Sequence, residues 1–357
     1  MYRLADLDPL RPPPLVTGDD PDAWRENRAH IEKVWREYLG VLPEPIEVGW
    51  RIRAEQRIEP TPTEPAVTLV RIDYDAPGGR SGDIERVTAH LLIPDSARER
   101  PAPAVLALHP THPRGKEAVT VDGVAPDRTY GLELARRGYV VLAPDVIASG
   151  ERIEAGEEYW HTASFYRSNP GWTVIGRMVT DHRQGVELLS HLPEVDRTRI
   201  GAIGHSLGGY NAVFLAGLEP RVAAVVSSCG SSMWAGDPRP NRWFRGFPFI
   251  HLPRLGDDVD AGVVPFEWHE ITALVAPRPL FVYATTGDDC FPHYQAIAAG
   301  LYEVERVYTV LGAAANFTFL LGTGPHTFPR PLRQAAYTFL DDTLGLDDTL
   351  GSPHRCA

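Results

Sequence analysis

Three residues far apart in the chain have the types and the order that acyl transfer needs: Ser206, Asp288 and His326. Ser206 stands in Gly204-His205-Ser206-Leu207-Gly208, between an apolar stretch ending at Ile203 and a Gly/Ala-rich stretch from Leu207 to Leu218. This G-x-S-x-G spacing fits a strand, a sharp turn and a helix. The serine takes a strained backbone conformation, and glycines two residues to either side let strand and helix pass closely. The five residues alone would be weak, since an idle serine on a tight turn has the same pattern; the flanking strand and helix, uninterrupted by proline, raise it. A hydroxyl is a poor nucleophile until a base takes its proton, so a histidine and an orienting carboxylate must exist elsewhere. Asp288 and Asp289 follow the apolar run Pro279 to Ala284, at the carboxyl end of an expected strand, where open α/β sheets bind ligands. His326 lies in the loop Gly322-Thr-Gly-Pro-His-Thr-Phe328, where neither helix nor strand gives it another task.

The helix that begins after Ser206 aims the Leu207 N–H at the place where an oxyanion would form. A second donor is expected from the loop His109-Pro-Thr-His-Pro-Arg-Gly115, and because Pro110 has no N–H, Thr111 or its neighbour must supply it. His109 and His112 have H-x-x-H spacing, but two ligands without a third nearby acid do not make a metal site, and a positional role fits better. His205 points away from the reaction on its turn, and His182 and His191 fall within or at the end of a helix. Should Asp288 and Asp289 both fail as the acid, Asp257, Asp258 and Asp260 are the next candidates.

The surrounding pattern supplies the elements that hold these residues. From residue 101 onward, short apolar runs alternate with helical segments, which calls for a mostly parallel sheet with crossovers. Strands are expected at 104–108, 139–143, 200–203, 222–227, 280–283 and 307–310, and helices at 127–137, 174–191, 207–218 and 332–344. Residues 1–100 form an extension joined to the sheet. It comprises a proline-rich arm, a helix capped by Asp20 and ended by Gly40 with Trp24, Ile31, Val34, Trp35, Tyr38 and Leu39 on one face, and a hairpin of 67–74 with 87–93. The helix should clamp this extension onto the domain of residues 101–345. Within that domain, 230–270 is an aromatic-rich insertion whose rings either wall a pocket or pack the insertion onto the sheet. Residues 346–357 are a tail.

With 357 residues, 43% of them hydrophobic, the chain can bury a large core. A net charge of −12 with no basic run argues against nucleic acid or an anionic membrane as partner. Three scattered cysteines, Cys229, Cys290 and Cys356, make neither a disulfide framework nor a zinc pair. No secretory h-region or membrane span is evident, so a cytoplasmic protein is expected. No metal or organic cofactor is implied, and the sequence leaves oligomeric state open, a homo-oligomer included.

Several further stretches are similar to one family: Leu106 to His109 with Gly115-Lys116, Ala143-Pro-Asp145 followed by Gly150-Glu-Arg152, Asp196 to Gly201, Ala276 to Leu280, Asp288-Asp-Cys-Phe-Pro292 and Pro325-His-Thr-Phe328. Together they resemble the dienelactone-hydrolase and acetyl-xylan-esterase-like branch of the α/β-hydrolase superfamily. The resemblance implies the α/β-hydrolase fold, a mostly parallel central sheet with helices on both faces. It implies a Ser206-His326-Asp288 triad, because the branch places its acid four residues before a proline, here Pro292. A serine replaces the cysteine nucleophile of true dienelactone hydrolases. The expected activity is hydrolysis of a small-molecule carboxylic ester through an acyl-enzyme. An amidase or peptidase using the same triad and a non-catalytic small-ligand binder are the alternatives.

Overall fold

The computed structural model describes residues 1–346 apart from 19, 63, 80–82 and 246. Its centre is a nine-stranded sheet. In chain order the strands are β1 (Trp50–Ile58), β2 (Val67–Pro77), β3 (Ile84–Pro94), β4 (Ala102–Leu108), β5 (Val140–Pro144), β6 (Val195–His205), β7 (Val222–Ser228), β8 (Leu280–Thr285) and β9 (Phe317–Gly322). Across the sheet they run β9-β8-β7-β6-β4-β5-β3-β2-β1. The hairpin strands β1 to β3 join antiparallel, and β3 meets β5 antiparallel; every pair from β5 to β9 is parallel. The expected hairpin is therefore present, with its tip at 80–82 outside the described residues, and the first hundred residues build a third of the same sheet.

Period-two alternation divides the strands between two cores. Ala104, Leu106 and Leu108 of β4 face one side with α3 (Val174–His191), α4 (Leu207–Leu218) and α1 (Pro21–Leu39). Val105 and Ala107 face the other, with α2 (Tyr130–Arg137) and α6 (Arg330–Leu344). Apolar residues on both faces of every central strand are what a sheet covered by crossover helices requires.

The first helix forms where expected. Asp20 accepts from the Asp22 N–H at 2.9 Å, Pro21 sits in the first turn, and Gly40 ends the helix with φ of 74°. It buries Trp24, Ile31, Trp35, Tyr38 and Leu39. Trp35 lies 4.8 Å from Phe214 of α4 and 5.4 Å from Phe266, so the helix clamps the 230–270 insertion as well as the sheet's helical layer.

Two expectations need correction. Residues 307–310 are not a strand; they end α5 (Tyr294–Val310), whose buried Ile297, Leu301, Val304 and Tyr308 recur at helical spacing. The strand that flanks the histidine loop is β9, further on. The helix expected from 127 begins at Tyr130, after a single 3₁₀ turn at Pro126–Arg128. Of the tail, only Leu346 lies within the described residues, and Cys356 does not.

Candidate active site

Ser206 separates β6 from α4 and has φ of 56° and ψ of −119°, a conformation that L-residues seldom adopt. The strain is imposed by how closely the chain folds back on itself. A Cβ on Gly204 would come within 2.1 Å of the Gly208 backbone, and one on Gly208 within 1.8 Å of the Leu108 carbonyl on β4. Only glycine fits at either position. The turn lifts the hydroxyl off the carboxyl edge of the sheet, and Ser206 stays half-buried while its neighbours are buried.

The other two members arrive from the loops after β8 and β9. Ser206 Oγ donates to His326 Nε2 at 2.8 Å, and His326 Nδ1 donates to Asp288 Oδ2 at 2.8 Å. The second oxygen of Asp288 accepts the Cys290 and Phe291 amides, both at 2.8 Å, so the carboxylate is fully engaged and oriented. Burial alone would raise the Asp288 pKa; the His326 hydrogen bond and charge and the two amides overcome it and hold the carboxyl below the usual range. Asp289 is exposed and receives Arg239 only on its backbone carbonyl. Asp258 and Asp260 bond Tyr38 and Arg245 instead.

For His326, desolvation disfavours the imidazolium, but the bond to Asp288, with further help from the Cys229 and Cys290 thiols, outweighs it and pushes the pKa up. The remaining imidazoles nearby go the other way. Burial pushes His205 and His109 down and His251 to about 3, so they stay neutral. His205 lies with its ring 4.9 Å from that of His326, and its Nδ1 pairs with Ser228 Oγ at 3.0 Å.

Leu207 is the first residue of α4, so its N–H has no acceptor within the helix. Thr111 lines the same cavity as Ser206 and His326. What holds the Thr111 loop is His109, fully buried. Its Nε2 accepts the Val146 N–H at 3.1 Å, which leaves the proton on Nδ1, and Nδ1 donates to the Pro110 carbonyl at 2.7 Å. In a trans peptide the C=O and the following N–H point oppositely, so fixing the Pro110 carbonyl fixes the Thr111 N–H. With both nitrogens used, His109 has none left for a metal, and the positional role stands. Lys116 and Asp145 brace the loop from behind: Asp145 Oδ1 accepts the Lys116 N–H at 2.8 Å, and Oδ2 accepts the Thr88 hydroxyl at 2.8 Å and the Glu151 N–H at 3.1 Å. This is the physical content of the separated G-K, P-D and G-E-R pieces. Among the described residues, the clusters with metal-ligating atoms close together are Cys229, Asp288 and His326, which includes the triad pair, and Asp288, Asp289 and Cys290.

Above Ser206 lies a cavity of about 340 Å³. Trp243, Phe247, Phe249 and His251 of the insertion wall it, and Trp160 stacks on Phe249 at 3.6 Å. Tyr210 of α4 donates to or accepts from His251 Nε2 at 2.8 Å. Trp234, Phe266 and Trp268 pack inward, so the insertion does both jobs expected of it. Trp160, Arg128 and Tyr210 were not signalled by the sequence, since no motif contains them. A larger open cleft of about 850 Å³ lies beside residues 44–48 and 183–191, and its arginines are engaged by carboxylates, Arg183 by Glu44, Arg221 by Glu187 and Arg36 by Glu32. It carries no nucleophile with a base.

A serine on a strained turn after β6, an acid after β8 and a histidine after β9, on a mostly parallel sheet, are arranged as in the α/β-hydrolase fold. The profile of the dienelactone hydrolase family matches residues 88–240, in keeping with the resemblance read from the sequence. YtaP of Bacillus subtilis, provisionally named a hydrolase, is 27% identical over 328 residues, covering 89% of this chain and 100% of that protein. A 4-O-methyl-glucuronoyl methylesterase of Wolfiporia cocos is 26% identical over 182 residues; the match takes in 45% of this chain and 43% of that one. Among solved structures, a glucuronoyl esterase from Solibacter usitatus superposes with a TM-score of 0.67 at 17% identity, over 94% of this chain and 97% of that one. That likeness establishes the shared fold.

Proposed function

We propose that this protein is a serine hydrolase of carboxylic esters that works through an acyl-enzyme. The observation that carries the reading is the unbroken chain of hydrogen bonds from Asp288 through His326 to Ser206, opening on a cavity. His326 takes the Ser206 proton as Oγ attacks the acyl carbon, and returns it to the departing alkoxide. Asp288 keeps the proton on Nδ1, so that Nε2 faces the serine, and stabilises the imidazolium. The Leu207 N–H and the Thr111 N–H receive the oxyanion. Water, activated by the same imidazole, then releases the acid. The names of the relatives support the ester class, and esters of carbohydrates are the first substrates to try.

The test is a panel of p-nitrophenyl esters of rising acyl length, acetylated sugars and anilides, run beside fluorophosphonate labelling. Esters should be cleaved and anilides should not, and Ser206 should carry the label. Ser206→Ala should lose ~10³-fold or more in kcat while folding normally, since only the oxyanion donors and binding remain. A folded Ser206→Ala protein that keeps most of its activity would overturn the assignment.

A further inference from the structure

The loop that carries the triad acid is held from outside by the insertion. Asp288 Oδ1 accepts the Cys290 and Phe291 amides, each at 2.8 Å, and these bonds help to keep the carboxyl ionised. The carbonyls of the same two peptide units, those of Asp289 and Cys290, are taken by arginines. Arg239 Nη2 donates to both, to that of Cys290 at 3.2 Å, and Arg242 Nη1 donates to the Cys290 carbonyl as well. Both peptides are trans, so C=O and N–H point oppositely, and the loop lies between the guanidinium groups on one side and the carboxylate on the other. Holding the carbonyls therefore aims the amides, and a carbonyl polarised by a cation makes its own N–H a stronger donor.

The insertion is built to hold the two arginines there. Arg239 stands just before the 3₁₀ turn Pro240–Trp243 and Arg242 within it, and the Arg242 N–H closes on the Arg239 carbonyl at 3.2 Å. Asp237 fixes both residues: its Oδ1 accepts the Arg239 N–H at 2.8 Å and Arg242 Nη2 at 2.7 Å, and its side chain is only 1% exposed. Arg242 also lies 4.9 Å over the Phe291 ring, packed on the loop it holds. We propose that Arg242 and Arg239 are positioning residues for the triad acid: through the Asp289 and Cys290 carbonyls, the insertion sets the orientation of the Asp288 carboxylate besides walling the cavity. This rests on the ester-hydrolase reading and gives the insertion a part in the chemistry as well as in binding.

An effect relayed through Asp288 must vanish where Asp288 is gone, and a double-mutant cycle on the full chain measures that. Arg242→Gln is combined with Asp237→Asn, so that no buried carboxylate is left without its cation. The pair should lower kcat for a p-nitrophenyl ester, and the rate at which a fluorophosphonate labels Ser206, by about tenfold or more, with KM within about twofold of wild type. Arg242→Lys should keep part of the activity, since a cation still reaches the carbonyl but without the planar fork. In an Asp288→Ala background the same pair should change neither rate by more than about twofold. If the folded pair variant keeps wild-type rates, or loses as much in the Asp288→Ala background as outside it, the arginines only pack the insertion, and the proposal is wrong while the esterase reading stands. Should the pair variant not fold, Arg239→Ala, which removes an exposed side chain, decides by the same comparison, with an expected loss of about two- to fivefold. If the wild-type protein cleaves no ester and Ser206 takes no fluorophosphonate, both readings fall.

Discussion

His326 must be neutral to accept the Ser206 proton, and its environment decides where on the pH scale that holds. Burial and the Asp288 charge act in opposite senses, and the carboxylate prevails. A raised pKa means that the base is lost as pH falls through the raised value, so the acid limb of kcat/KM should lie above the ordinary imidazole pKa of ~6.5. Asp288→Asn removes the favourable charge and should move the limb to lower pH, besides costing on the order of 10³- to 10⁴-fold in kcat through the wrong tautomer. Asp289→Asn should stay within a few-fold of wild type, because that side chain is exposed and the His326 Nδ1 proton goes to Asp288. A profile for a neutral ester that is flat from about pH 5 to 8 would eliminate a histidine base. His109 invites a different measurement at the same scale. His109→Leu frees the Pro110 carbonyl, so the Thr111 N–H is no longer aimed; kcat should fall about ten- to hundredfold with little change in KM. Affinity for a boronic acid, which mimics the tetrahedral adduct, should fall in proportion. Loss of thermal stability without that split would assign His109 a purely structural part.

Between elements, the site depends on contacts that join distant stretches. Trp35 of α1 is fully buried against Phe214 of α4 and Phe266 and Trp268 of the insertion, and Trp268 in turn lies 4.1 Å from Trp243 on the cavity wall. Trp35→Ala should therefore cost about 3–5 kcal/mol in urea denaturation and also raise KM for the longer esters. A stability loss with KM unchanged would mean that the wall holds its shape without the clamp. The same contacts explain what could be read from the sequence. The triad was legible because its three side chains keep a fixed order and because Gly204 and Gly208 record a close backbone approach. The N-terminal helix was legible because Asp20, Pro21 and Gly40 mark its ends. The segment 307–310 misled because Val307, Tyr308 and Val310 are β-prone residues, yet they complete a helical stripe begun at Ile297, and packing overrides local preference. Trp160 and Tyr210 could not be recognised in advance, because they meet around the Ser206 cavity only in the folded chain and share no local pattern.

At the scale of the molecule, the nine-stranded sheet must end somewhere, and β1 is one of its two edges. It is exposed along its length up to Glu55, Gln56 and Arg57, with Ile52 52% exposed and Trp50 41%. Such an edge offers unpaired backbone groups to any other strand, and charged side chains are the usual guard. Here Arg51 and Arg53 reach back to Asp73, and Arg57 pairs with Asp95. The first two cannot be removed cleanly, since Asp73 is buried and would be left without its partners. The Arg57–Asp95 pair is half-exposed and worth little to folding, so it can be lost at small cost. Replacing Glu55 and Arg57 together by valine thus removes one stretch of the guard and raises β-propensity while leaving the core and triad untouched. The double variant should keep its thermal transition close to wild type but associate in a concentration-dependent way, measured as rising mass by light scattering. Unchanged mass up to the solubility limit would mean that Arg51 and Arg53, nearer the start of the strand, suffice to keep the edge closed.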